Sequence, residues 1–260
     1  MNEGQSFETL IATLRTLRSP EGCPWDREQT AESLLPYFLE ESYEVIEAVE
    51  SETWPTVQEE LGDILLHVVF QGLIAEEEGR FSLTDSLDTV IQKMITRHPH
   101  VFGDKQAESA FYAKQNWEAE KHKEKKRHSR LDGVPPALPG LVRAQRLQEK
   151  ASYVGFDWDR VEQVWEKIHE EIAELREAEA AGNRPHLEEE IGDVLFAIVN
   201  LARFFNISAE GAIRKTNAKF LRRFKRVEEE LRKQDIPIEE ASLVAMDAIW
   251  DEVKREEKSG

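Results

Sequence analysis

Residues 189–199 read EEIGDVLFAIV, and residues 59–69 read EELGDILLHVV. Each string is apolar enough for a buried helix. Yet each carries two acids one helical turn apart, Glu190 and Asp193 in one and Glu60 and Asp63 in the other. An ionised carboxylate removed from water without a partner is so costly that the group neutralises instead. The near repetition raises two questions: how far the repeat extends, and what makes its acids tolerable.

Outward from these strings the match continues at a constant offset of 130 residues. Glu40, Glu41 and Glu44 fall on Glu170, Glu171 and Glu174, Pro55 falls on Pro185, and Gly62 falls on Gly192. Further out, PWDR at 24–27 pairs with DWDR at 157–160, and NWEAEK at 116–121 pairs with IWDEVK at 249–254. So long a period excludes a solenoid repeat and marks a duplicated domain. The join shows in composition. KHKEKKRHSR at 121–130 is basic and almost free of apolar groups, and GVPPALPG at 133–140 brings three prolines that disfavour helix. The expected organisation is an N-terminal domain over 1–122, a basic and Pro-rich linker over 123–138, and a C-terminal domain over 139–260.

Both copies read as helices. Leu35, Leu39, Ser42, Ile46 and Val49 step by three and four, with Glu40, Glu47 and Glu50 opposite. In the next helix Val57, Leu61, Ile64, Leu65, Val68 and Val69 cover most of the circumference. ETWP and GNRP break the chain between the paired helices, with Thr53 and Asn183 as expected N-caps. The expected fold class is all-α, two tandem copies of antiparallel helices packed as a bundle.

The totals narrow the function. Of 260 residues, 40% are hydrophobic and 33% charged, with a net charge of −18. That charge repels a nucleic-acid backbone, so no nucleic-acid partner is expected, although a small phosphorylated substrate is compatible when cations mediate. No apolar run reaches the length of a membrane span, MNEGQSFETL lacks the features of a signal peptide, and the lone Cys23 rules out an internal disulfide. A cytoplasmic protein without a membrane partner is expected.

On a helical wheel Glu60, Asp63, His67 and Gln71 form a narrow polar stripe, and Glu41 and Glu44 lie within or beside the apolar arc of the preceding helix. Four converging carboxylates repel one another and raise their own pKa values. A hard divalent cation such as Mg²⁺ removes that problem. A lone Glu-x-x-Glu is most often a solvated face; ExxE, fifteen residues and ExxD, written twice at one spacing, is far rarer. His67 faces Ala197 in the other copy, so it is not expected to be a required ligand. A di-iron site would want Glu-x-x-His on two helices, and only Glu166-x-x-His169 fits. There is no Walker loop, no Gly-x-Ser-x-Gly and no zinc-type spacing.

The repeated acid pattern, with LRSPEGCPWDREQT at 17–30 and GVPPALPGLVRAQRLQEKASYVGFDW at 133–158, resembles the MazG family of nucleoside triphosphate pyrophosphohydrolases in its two-domain form. The resemblance implies an all-α fold that dimerises into a four-helix-bundle core. It implies hydrolysis of nucleoside triphosphates to monophosphate and pyrophosphate, dependent on Mg²⁺ with Mn²⁺ as a substitute. Carried over by motif, the metal ligands would be Glu41, Glu44, Glu60 and Asp63, then Glu171, Glu174, Glu190 and Asp193. Glu170 or Glu171 would serve as base, and Glu190 would be essential to catalysis. Two other readings of the same acids stay open: a metal or nucleotide sensor without turnover, and a helical scaffold.

The C-terminal copy is expected to carry most of the catalysis. Lys215, Lys219 and Arg223 step by four along one face, an arrangement suited to triphosphate oxygens. In the approximate counterpart, TVIQKMITRHPHVFGD, Lys93 and Arg97 remain but Val101 is set opposite Arg223, and His98-Pro99 should end the helix. Trp250 is a candidate for stacking on the base, although Trp117 holds the matching place and a shared packing role would explain both.

Overall fold

The computed structural model describes residues 2–104, 109–125 and 127–259. Among them are twelve α-helices, one short 3-10 turn and no strand, the all-α class expected. The chain divides into two compact units, residues 1–120 and 121–260.

The first unit holds α1 (Glu3–Arg18), α2 (Pro24–Glu28), α3 (Leu35–Glu50), α4 (Trp54–Glu77), α5 (Leu83–Arg97), α6 (Pro99–Phe102) and most of α7 (Ala110–Glu124). The second holds α8 (Gly140–Ser152), α9 (Val161–Ala181), α10 (Arg184–Phe204), α11 (Ala209–Lys233) and α12 (Leu243–Ser259). The basic stretch begins helical, because α7 runs to Glu124, and no helix forms over 127–139.

In each unit two long helices joined by a break of a few residues lie along each other, α3 on α4 and α9 on α10. Around them α1 and α5 pack on α4, α8 packs on α10 and α11, and α11 packs on α12. The breaks are built differently. Asn183 accepts a hydrogen bond from the His186 amide at 3.4 Å. Thr53 occupies the N-cap of α4 without a side-chain cap, its hydroxyl lying 3.0 Å from that of Ser51. The residue that reverses the chain after α9 is Gly182 at φ 65°, and its counterpart after α3 is Glu52 at φ 56°. A side chain in this left-handed region costs about 1–2 kcal/mol, which glycine avoids.

The apolar stripe of α3 is only partly covered within its own unit: Leu35 and Leu39 are 58% exposed and Val49 is exposed, while Ser42 and Ile46 are half-buried. The face of α3 turned inward carries Glu41, Val45 and Ala48. The matching outward stripes are Leu61, Leu65 and Val68 on α4 and Ile191, Leu195 and Ile198 on α10, all exposed. The physical reason is that one partner helix covers about half of so broad an apolar arc. The inner half is where the acids sit.

The two cores also differ. Leu14, Leu34, Val69, Phe70, Leu73, Ile74 and Leu83 form the buried cluster of the first unit. In the second it is Val164, Ile168 and Ala197, bordered by Ile172, Leu201 and Phe204. The first cluster gathers α4 with α1, α5 and Leu34, whereas the second lies between α9 and α10.

Candidate metal centre and adjoining cavity

In the first unit Glu41 from α3 meets Glu60 and Asp63 from α4, with ligand oxygens all within 4.8 Å of one another. In the second, Glu171 and Glu174 from α9 meet Glu190 from α10 within the same limit. Each cluster therefore takes three of the four acids in the motif, and the fourth stands at its edge. Glu44 shares a hydrogen bond with Glu41. Asp193 lines a cavity together with Glu171. His67 is buried beside Phe38, and burial lowers its pKa. His169 lies outside the cluster, its ring tilted against Trp165.

The two clusters handle their charge differently. In the second, Lys167 Nζ lies 2.8 Å from both Glu170 and Glu171, and His186 Nε2 lies 3.0 Å from Glu190 Oε1. The carboxylates hold the Lys167 pKa well above its ordinary value. Tyr37 and Thr56 stand at those two places in the first unit, so its acids face one another without the Lys167 ammonium or the His186 ring. Desolvation, followed by repulsion from Asp63, Glu44 and Glu60, pushes the Glu41 carboxyl up to about 7. Glu60 is also raised, first by desolvation and then by Glu44, Glu59 and Asp63. In the second unit Glu174 is raised by desolvation and by Glu171 and Glu190, with Lys167 opposing.

Do these residues suit a divalent cation? The donor set is all carboxylate, the chemistry of a hard ion. Glu171 and Glu190 are 6% and 7% exposed, so their charge is largely withdrawn from water. Glu190 Oε2 is buried and has no hydrogen-bond partner, which for an anionic oxygen is a strong call for a cation. The residues fit. Beside them Gly62 and Gly192 occupy mid-helix positions where an added Cβ would meet nothing within 4 Å.

The second cluster opens on a cavity of about 560 Å³. Lys167, Glu171 and Asp193 line it where it meets the cluster, and Phe156, Trp158 and Phe196 supply aromatic walls. Asn200 and Arg203 border it, with Arg203 held by the Asn200 amide oxygen at 2.7 Å and by Asp157. The first unit fills the equivalent positions with core. Asn200 corresponds to Phe70 and Arg203 to Leu73, both 2% exposed, and Ala197 corresponds to buried His67. A separate cavity of about 370 Å³ lies beyond His67 there, and none of the cluster acids lines it.

The basic residues need a corrected register. Ser82 accepts from Asp85 N at the start of α5, and Ser208 accepts from Gly211 N at the start of α11. These caps lie 126 apart rather than 130, because α4 has 24 residues and α10 has 21, and the step from helix end to cap is one residue longer in the first unit. Lys219 and Arg223 therefore correspond to Lys93 and Arg97, while Lys215 corresponds to Thr89 and Val101 to Val227. The rings agree: Arg97 lies 5.2 Å over Trp117 and Arg223 lies 5.7 Å over Trp250. The expected loss of Arg223 in the first copy is thus wrong. The helix does end early, with His98 as the C-cap of α5, whereas α11 continues to Lys233.

Arg223 is also engaged by Glu257 at 2.7 Å, and Trp250 packs against Phe220 at 5.3 Å. Lys215 and Lys219 are exposed on α11. None of Lys215, Lys219, Arg223 and Trp250 lines the cavity. Trp250 has the contacts of a packing residue, and the aromatic surfaces beside the acids belong to other side chains.

The description "MazG nucleotide pyrophosphohydrolase domain" matches residues 29–102 and again 160–228. This chain belongs to the MazG family. It is 48% identical over 253 residues to a Thermotoga maritima protein named nucleoside triphosphate pyrophosphohydrolase/pyrophosphatase MazG, covering 96% of both chains. It is 43% identical over 257 residues to an Escherichia coli K12 protein named nucleoside triphosphate pyrophosphohydrolase, covering 96% of this chain and 98% of that one. An uncharacterized Bacillus subtilis protein, YabN, is 44% identical over 255 residues, which span 52% of its length.

The matched family segments contain both acid clusters and the basic face of α11. Several residues around the cavity, among them Gln148, Phe156 and Trp158, lie outside them. Sequence reasoning missed Lys167 and His186, although each stands four residues before the acid it meets, a spacing that signals contact on a helix. It also missed the cavity, whose walls come from α8, α9, α10 and the segment before α9.

Proposed function

We propose that this chain hydrolyses nucleoside triphosphates, ribo and deoxy alike, between the α- and β-phosphates to release nucleoside monophosphate and pyrophosphate. One observation carries the reading: a carboxylate cluster in which Glu171 and Glu190 are buried and Glu190 Oε2 is unpartnered, opening on a cavity large enough for a nucleoside. The names of the T. maritima and E. coli relatives support it. The second unit carries most of the turnover, because the positions that leave the cavity open there are occupied by core side chains in the first.

Glu171, Glu174, Glu190 and Asp193 are assigned to hold Mg²⁺, or Mn²⁺ in its place. Such an ion neutralises triphosphate charge and acidifies the attacking water. Glu170 and Glu171, joined through Lys167, are the groups within which the water's proton is accepted. Lys215 and Lys219 are assigned to the triphosphate oxygens, with Arg223 joining them once released from Glu257. The outward apolar stripes on α3, α4 and α10 fit a second copy of the chain, so the working form is a homodimer that completes a four-helix core. Its place is the cytoplasm.

The test separates products from a panel of triphosphates incubated with and without Mg²⁺. Monophosphate and pyrophosphate are expected, whereas diphosphate and orthophosphate as first products would overturn the reading. Binding without turnover would support the sensor. Glu190→Gln should abolish most turnover and Glu60→Gln should leave a large fraction. Equal losses would overturn the assignment to the second unit.

A further inference from the structure

Glu257 stands near the end of α12 and is held by two arginines of α11 at once. Arg222 donates from Nε and Nη2 to its Oε1 at 3.0 and 2.8 Å. Arg223 turns the same edge of its guanidinium to Oε2, with Nε at 2.8 Å and Nη2 at 2.7 Å. Each carboxylate oxygen thus meets the fork of a separate guanidinium, the geometry in which arginine also takes phosphate. The neighbouring acid, Glu256, makes a plainer contact with Arg226 Nη2 at 3.2 Å. Hydrogen bonds from Arg222 and then Arg223 hold the Glu257 carboxyl below the usual carboxylate range, so it is ionised at neutral pH.

This contact does little for the fold. The side chains of Arg222 and Glu257 keep 61% and 27% of their surface exposed, and ion pairs in such surroundings add little net stability. Opening it strands no buried charge, unlike parting Lys167 from Glu171, whose side chain is 8% exposed. The contact is therefore exchangeable with a competing anion. A phosphate group brings three acceptor oxygens and up to two charges, where the carboxylate brings two and one. Arg223 is among the residues assigned above to the triphosphate, and Lys219 lies one turn before it on the same face. The paired forks are not repeated in the first unit. In the register set by the helix caps Arg97 stands for Arg223, but Thr96 stands for Arg222.

Building on the hydrolase reading above, we propose that Glu257 is an internal competitor of the substrate, holding in the free protein the two guanidinium groups that a terminal phosphate takes in the complex. It thereby raises KM and weakens the retention of pyrophosphate, without touching the bond that breaks. A ligand that needs the open form has its dissociation constant divided by the open fraction. A contact closed for about half to nine-tenths of the time therefore raises KM about two- to tenfold. Partial closure of that order is what an exposed ion pair sustains.

The experiment uses the full chain and two variants. Glu257→Gln keeps the size of the side chain and removes its charge. Glu256→Gln removes an equal charge one residue away and leaves both forks occupied. In the first variant the KM for ATP and the inhibition constant of pyrophosphate should each fall about two- to tenfold, with kcat within about twofold of the wild type. In the second both constants should stay within about 1.5-fold, because a screened surface charge acts weakly at a distance. Glu257→Ala serves in place of the Gln variant should that variant melt early by circular dichroism. An unchanged or raised KM would overturn the proposal, since Glu257 would then dock α12 or orient Arg223. Equal effects of the two variants would overturn it too, by reducing the effect to net charge. Absence of turnover with every triphosphate would refute the hydrolase reading instead. Calorimetry with inorganic pyrophosphate then decides the role of Glu257: tighter binding to the variant supports it, and equal binding, or none to either protein, overturns it.

Discussion

Replacing Glu190 by Gln should make the metal-free protein more stable and the metal-loaded protein less so. Glu190 is buried within 4.8 Å of Glu171 and Glu174, by their ligand oxygens. Two unit charges at that separation repel by about 1 to 3.5 kcal/mol for effective dielectric constants of 80 to 20. Lys167 already offsets part of this, and Glu174 is exposed, so the net relief is set at about 1–2 kcal/mol. The glutamine oxygen can keep the place of Oε1, 3.0 Å from His186 Nε2. For a unit of this size the relief corresponds to a rise of about 3–6 °C in the metal-free melting temperature. With Mg²⁺ the sign reverses. An ion at one hundred times its dissociation constant stabilises by about 2.7 kcal/mol, and a hundredfold weaker site at the same concentration keeps about 0.4 kcal/mol. Differential scanning calorimetry in EDTA and in Mg²⁺ reads both numbers, with the two units allowed separate transitions. A lower melting temperature in EDTA, or a Mg²⁺ response equal to that of the wild type, would refute the argument.

Three further outcomes follow from the geometry. Glu52→Gly should stabilise the first unit by about 1 kcal/mol in urea denaturation and Gly182→Ala should destabilise the second by a similar amount; matching signs would remove backbone strain as the cause. In EDTA, Glu41 keeps a proton in the folded state up to about pH 7 that the unfolded chain has already lost, so this group makes stability fall as pH rises from about 4.5 to 7. Glu41→Gln should flatten that slope in denaturation curves, and an unchanged slope would refute the origin assigned to it. Ala197→Phe should fill the cavity, raising KM at least about tenfold while moving the melting temperature by no more than about 2 °C; overpacking a closed site would instead cost about 1–3 kcal/mol, and an unaltered KM would place the nucleoside elsewhere.

Much of the site was legible because a helix converts spacing into direction. ExxE and ExxD turn their acids to one face, and a short break brings two such faces together, so Glu41 with Glu60 and Asp63, and Glu171 with Glu190, follow from periodicity. The register of α11 was not legible. The offset between the copies changes inside an uninterrupted helical pattern, where nothing in the pattern shows that α4 continues for three residues more than α10. The face that α3 turns inward was not legible for a related reason: its apolar arc has two halves, and periodicity does not say which one its own unit buries. Gln148 and the cavity depend on how α8 lies against α10, a contact between residues 48 apart in the chain. Local pattern carries no information about that distance.

Gly62 and Gly192 now acquire a different significance. Each sits in the middle of a long helix, where glycine is less stable than alanine by about 0.5–1 kcal/mol. Neither is excused by its surroundings, since a methyl group at either position would touch nothing of its own chain. Two copies that diverged at many other places, including the neighbouring pair His67 and Ala197, have both kept this handicap. A residue retained against the interest of the isolated fold answers to something that arrives from outside it. Each glycine stands between an outward-facing leucine or isoleucine and an acid of the motif, where the surface offered to another molecule adjoins the metal-binding side chains. Both glycines are exposed, so a helix laid on the outward stripe of α4 or α10 can approach the backbone most closely beside the acids.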